Sequence, residues 1–310
     1  MSPAATVSRA KADLSLALCS FFWGATFVVV KGVLSYASVF LFLALRFTLA
    51  AALMAMFQPR LVRKVKRAEL LAGAALGFFM LSGYCFQTAG LLYTTPAKSG
   101  LVTGSSVVLV PLLLALFWRK GLTLWAYGGV IASFLGLYYL TVPPEGIRHL
   151  NIGDLLTFIA ATFYAFHIIL VGRYTKLHSV VALSVLQVAV CAVLAWIATA
   201  GANTLGLERA RFVNRWELYA GVAVCAVFAT AVAFTIQLWA QRFTSPSHAA
   251  ILFTLEPVFA ALTSYLLIHE RFGRRAGIGA ALVLAGILLA ELKGPAPAAP
   301  ESPEPTGEMA

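Results

Sequence analysis

Long apolar runs, broken at intervals by short polar segments, dominate the chain. No Asp, Glu, Lys or Arg falls in 70–97, 99–118, 121–144, 177–207 or 218–241. A helix crosses hydrocarbon in roughly 20 mainly apolar residues. The pattern predicts ten such spans, at 12–31, 36–57, 69–92, 97–118, 123–142, 151–171, 179–200, 216–240, 246–268 and 274–292. Barrel strands would alternate polar and apolar positions over about ten residues. Runs such as VLVPLLLALFW do not alternate. Backbone groups in lipid must pair within their own segment, which leaves the helix. The stretch 294–310 is rich in Pro, Ala and Glu, cannot bury apolar area, and is expected to be disordered.

Composition narrows the class. Of 310 residues, 61% are apolar and 11% charged, against about half and about a quarter in soluble domains. Twelve Asp and Glu are too few to coat a soluble protein of this size. An ordinary cytosolic enzyme and a disordered chain are both excluded, leaving an all-α polytopic membrane protein. The net charge of +11 sits largely in short loops. There it orients helices and meets anionic membrane lipid; it is not a nucleic-acid signal. Cys19, Cys85, Cys191 and Cys225 all lie in apolar stretches. Core packing is their default use, with a metal site or disulfide as the alternative. The chain holds no GxxxxGK[ST], HExxH or CxxC, so no cofactor or metal is expected, nor ATP-driven transport by this chain alone.

An internal repeat organises the spans. At a shift of 150, Gln87 falls on Gln237, Thr94 on Thr244, Pro96 on Pro246, Gly129 on Gly279 and Gly136 on Gly286. At a shift of 141, Asp13 falls on Asp154, Phe22 on Phe163 and Trp23 on Tyr164. The two units are 12–142 and 151–292, with five spans each. Because five is odd, the second unit enters the membrane from the opposite side. Two inverted five-helix repeats can enclose a midplane site and expose it alternately by rocking. Both halves are on one chain, so a monomer suffices. With the N-terminus inside, inside segments hold thirteen Lys and Arg against nine outside, and nine against three in the first half. Both termini are therefore expected in the cytoplasm, although Arg271, Arg274 and Arg275 run against the rule.

Polar groups at membrane depth are costly and mark candidate sites. Glu256, just before Pro257, reads either as a cavity carboxylate coupled to protons or substrate, or as a helix fastener. Lys98 and His248 align at the 150 shift. Either could meet a substrate carboxylate, and Lys98 could equally snorkel to headgroups. Ser99 and Thr103 could donate hydrogen bonds nearby, as could Ser247, or could serve packing. Gln87 and Gln237 suit a neutral or zwitterionic ligand, or act as interhelical clamps. His167 could couple transport to protons or be a plain hydrogen-bonded histidine. Arg46 is expected in a salt bridge or reaching toward an interface. Trp23, Tyr84, Tyr164, Trp239 and Phe253 could supply aromatic surface for apolar or aromatic amino acids and lipophilic amines.

Three stretches resemble the drug/metabolite transporter superfamily in its EamA-type branch. They are FFWGATFVVVKG in span 1, YTTPAKSGLVTGSSVVLVPLLLAL in span 4, and TSPSHAAILFTLEPVFAALTSYLLIHERFG in span 9. The resemblance implies ten helices in two inverted repeats, a cavity lined mostly by spans 1, 3, 4, 6, 8 and 9, and export of small metabolites across a bacterial inner membrane. One departure is that Lys120 stands where the second half has Glu270. The expected activity is secondary transport of amino acids, apolar or aromatic by preference, with protons or a counter-substrate as coupling partners. Efflux of cationic drugs is the alternative. A membrane-embedded enzyme would gather His, Asp or Glu at one depth, which this chain does not do, and a scaffold would not need the repeat.

Overall fold

A computed structural model describes residues 9–58, 65–119, 124–142, 144–145 and 150–292. The tail 294–310, the loop basics Arg60, Arg63, Lys64 and Arg148, Lys120, and the side chain of Ser247 lie outside what it describes. The described chain is helical, with a single isolated bridge, Ala37 to Phe212. The helices are α1 (Arg9–Val33), α2 (Val39–Phe57), α3 (Arg67–Gly90), α4 (Pro96–Thr103), α5 (Ser106–Trp118), α6 (Leu124–Thr141), α7 (Ile152–Leu177), α8 (Val180–Thr204), α9 (Trp216–Ala226), α10 (Ala233–Gln241), α11 (Pro246–Phe253), α12 (Leu255–Ile268) and α13 (Arg274–Leu292). A π-helical turn, Val227–Val232, joins α9 to α10.

The ten apolar segments of the sequence are all helical, and three of them are interrupted. Spans 4 and 9 each break in two, and span 8 carries the π turn. Among the described residues, eight helical segments are long and apolar enough to cross a membrane, and Tyr127–Thr141 is a shorter apolar helix. The chain is a multi-pass membrane protein.

The breaks obey the repeat. α4 ends before Gly104 and α11 before Thr254, 150 residues apart. Both helices start with a capped turn. The Thr95 hydroxyl accepts from the Lys98 N–H at 3.4 Å, and that of Ser245 from the His248 N–H at 3.1 Å. A proline follows each cap at the first helical position, where its missing N–H costs nothing. α5 and α12 close on the same left-handed residue, Arg119 with φ 53° and His269 with φ 53°. The two halves thus share their irregularities as well as their spans.

Packing then shows the inversion. Equivalent spans meet across a pseudo-two-fold axis: α2 against α8, α4 against α12, and α6 against α13. In the last pair, a Cβ on Gly136 would lie 2.7 Å from the Gly279 carbonyl, and one on Gly279 2.7 Å from the Gly136 carbonyl. Further along, a Cβ on Gly286 would lie 2.7 Å from the carbonyl of Gly129. Positions rise on α6 as they fall on α13, so these equivalent helices run antiparallel. Glycine allows the two backbones to touch. At one end, Glu208 accepts from the Val39 and Phe40 N–H groups at the start of α2, and Arg211 donates to the Leu34 and Ser35 carbonyls after α1. Each charge faces the helix end that its sign suits.

Candidate functional site

A cavity lies between the repeats, with about 670 Å³ of space between its lining atoms, including the part open to solvent. Its lining comes from both halves. Trp23, Thr26, Phe27 and Val30 are on α1; Arg46 is on α2; Tyr84, Gln87, Thr88 and Leu91 are on α3; Thr103 and Ser106 flank the break in span 4. The second half supplies Tyr164, His167 and Ile168 from α7, Phe234 and Gln237 from α10, and Phe253 and Glu256 from either side of the break in span 9. The helix breaks therefore sit at the cavity, where irregular backbone in a membrane protein is tolerated.

Of the residues marked in the sequence, Trp23, Tyr84, Gln87, Thr103, Tyr164, His167, Gln237, Phe253 and Glu256 line this space. Lys98, Ser99, Trp239 and His248 do not. The Lys98 ammonium pairs with Asp154 at 2.5 Å, and His248 Nε2 lies 3.0 Å from Asp13 Oδ1. The buried Ser99 hydroxyl lies 3.4 Å from that of Thr157, and Trp239 packs on Phe243 with centroids 5.5 Å apart.

An aromatic wall encloses one side. Trp23 packs 5.2 Å from Phe234 and 5.2 Å from Phe253. Tyr84 and Tyr164 meet edge to face at 5.6 Å. The polar groups divide into spent and unspent. Gln87 is spent: its amide donates to the Thr103 hydroxyl at 2.9 Å, and its oxygen accepts from the Tyr164 hydroxyl at 3.0 Å. His167 sits 2.9 Å from Gln187 Oε1. Gln237, the counterpart of Gln87, donates to Gln241 at 2.8 Å, but its buried oxygen has no partner among the described residues. The carboxylate of Glu256 likewise has no hydrogen-bond or ion-pair partner among them.

The expectation that Arg46 forms a salt bridge or reaches toward an interface is not met: among the described residues it has no acidic partner, and it is buried. It is 2% exposed and lies 4.4 Å over the Tyr84 ring. Its Nε donates to the Thr230 hydroxyl at 2.8 Å and its Nη2 to the Ala229 carbonyl at 3.3 Å and the Tyr84 hydroxyl at 3.1 Å. The Trp23 indole N–H donates to the same Ala229 carbonyl at 3.0 Å. Both Ala229 and Thr230 belong to the π turn, whose wider winding frees backbone acceptors that an α-helix would use itself. Composition gives no sign of a π turn, so the sequence does not reveal where Arg46 is held. Phe234, which packs on Trp23, Tyr84 and His167, was also unmarked.

A family model described as the EamA-like transporter family matches residues 10–142 and again 151–292. The chain belongs to the EamA-like transporter family. It is 33% identical to an uncharacterised transporter of Archaeoglobus fulgidus over 93% of this chain and 88% of that one. It is 22% identical to a chloroplastic WAT1-related protein of Arabidopsis thaliana over 87% of this chain and 66% of that one. A solved structure superposes with TM-score 0.66 at 19% identity, covering 92% of this chain and 99% of that chain, a likeness of fold.

Proposed function

We propose that this transporter is a secondary exporter of small metabolites, and that its substrates are amino acids with apolar or aromatic side chains. The cavity carries the reading. It lies between two inverted repeats, is lined from both, and combines an aromatic wall with acceptor groups left unpaired at Glu256 and Gln237. A side chain would lie on Trp23, Phe234 and Phe253, and polar ends would meet the unspent groups. Rocking of the repeats about their shared axis would expose the cavity to one side and then the other. The setting is a bacterial inner membrane with both termini in the cytoplasm, and a monomer suffices. Protons or a counter-substrate would set the direction of flow. Glu256 favours a second reading, efflux of lipophilic cations, because an unpaired carboxylate attracts them as it does an ammonium group.

Proteoliposomes separate the two. Preloaded phenylalanine or leucine should drive counterflow of labelled amino acid, with and without a pH gradient. Counterflow of a quaternary amine and of no amino acid would establish the second reading in place of the first.

A further inference from the structure

Arg46 is a buried guanidinium whose partners are all neutral: two hydroxyls, one carbonyl and one aromatic face. Among the described residues no carboxylate pairs with it. A buried charge held only by neutral groups retains an unmet demand for an anion. It sits on the wall of a cavity that also presents an unpaired carboxylate, Glu256, and an unpaired amide oxygen, Gln237 Oε1. Donors at one place and acceptors at another match a molecule that is anionic at one end and cationic at the other.

We infer that Arg46 is the receptor for a substrate carboxylate, with Glu256 and Gln237 taking the ammonium group. The assignment rests on the amino-acid reading above and sharpens it: the cavity selects zwitterions over amines that lack the acid. Thr230 and Tyr84 act as positioning residues. They fix the guanidinium plane so that its remaining donors face the ligand, a fork geometry that lysine cannot copy.

Three probes that share one phenylethyl frame test this on purified protein by ligand-induced thermal stabilisation: phenylalanine, 3-phenylpropionate and phenethylamine. The parent should bind phenylalanine at least tenfold better than phenethylamine and should also bind 3-phenylpropionate. Arg46→Gln should lose both carboxylates while keeping the amine. Arg46→Lys should recover only part of the carboxylate affinity. Thr230→Val keeps the charge and should weaken both acids and not the amine, with cooperative unfolding of the unliganded variant as the check that it is folded. Preference of the parent for phenethylamine, or unchanged discrimination in Arg46→Lys and Thr230→Val, overturns the assignment. Amine binding alone would leave the transporter standing in its cation-efflux form. Carboxylate binding without counterflow would remove the amino-acid export reading and leave Arg46 in place.

Two contacts between a basic and an acidic side chain lie outside the cavity. Lys98 aligns with His248 at the 150 shift, and Asp154 with Asp13 at the 141 shift. Lys98–Asp154 and His248–Asp13 are therefore the same contact made twice, and each joins one repeat to the other. Lys98 and Asp154 lie in the first turns of α4 and α7, and His248 and Asp13 near the starts of α11 and α1. In an inverted repeat those starts fall on opposite membrane faces. The geometry assigns them as two locks, one per face, both closed in this structure. Rocking opens one face and must part its pair while the other holds.

Lys98→Cys with Asp154→Cys, or Asp13→Cys with His248→Cys, joined by a bifunctional methanethiosulfonate that spans the length of the replaced side chains, should stop transport until reduced. A reporter cysteine at Thr26 should then react with an impermeant maleimide only from the face left unlocked, the protein without it setting the background. Transport through a linked protein, or reporter access from the same face in both, would overturn the locks. The reporter reads gating without any substrate, so it remains informative if the amino-acid reading fails.

Discussion

Gln87 and Gln237 occupy equivalent places, yet only one is free. Gln87 bridges α7 and the end of α4 through Tyr164 and Thr103, spending both ends of its amide. Replacing it with leucine strands two hydroxyls near the cavity, a loss of about 1–3 kcal/mol for an unsatisfied buried group. Thermal unfolding in detergent should show Gln87→Leu clearly less stable than the parent. Gln237→Leu breaks a single internal bond, to Gln241. It should cost less stability than Gln87→Leu and more transport. Equal destabilisation by the two would contradict the division into clamp and ligand group. The sequence identified both glutamines and could not separate them, because which atoms are spent depends on neighbours 16 and 77 residues away.

At the scale of elements, the contact between α6 and α13 is made by glycine. A Cβ at Gly136 would come within 2.5 Å of the Val283 nitrogen, whereas one at Gly277, also on α13, would meet nothing within 4 Å. The two positions predict opposite signs. Gly136→Ala forces backbone apart, an overpacking cost of about 1–3 kcal/mol. Gly277→Ala gains helix propensity of up to about 1 kcal/mol with no clash. Melting temperatures of the two variants should move in opposite directions from the parent. The sequence paired Gly136 with Gly286 by register; that Gly136 touches Gly279 instead follows from the antiparallel crossing. The π turn was likewise hidden, since Val227–Val232 reads as an ordinary apolar helix.

For the whole molecule, inversion makes a topological prediction. The 205–215 segment packs against the turn between α1 and α2, through Glu208 and Arg211, whereas residues 58–66 follow the far end of α2. Tags placed at 58–68 and at 201–215 should be labelled from opposite sides of the membrane. Labelling of both from one side would remove the inverted architecture and, with it, alternating access. The sequence made the inversion visible through parity alone, as five spans per unit admit no other insertion.

Spacing of apolar runs and the two register shifts determined the class, the spans and the inverted repeat. These are one-dimensional properties: hydrocarbon thickness sets the length of a run, and an odd count sets its direction. Which polar side chain faces the cavity was decided only by the tertiary fold. Lys98 and His248 find acids on the other repeat, Gln87 is consumed by its neighbours, and Arg46 is drawn to the cavity wall by a π turn on another span. A polar side chain goes where its partners are, and those partners lie as many as 235 residues away along the chain.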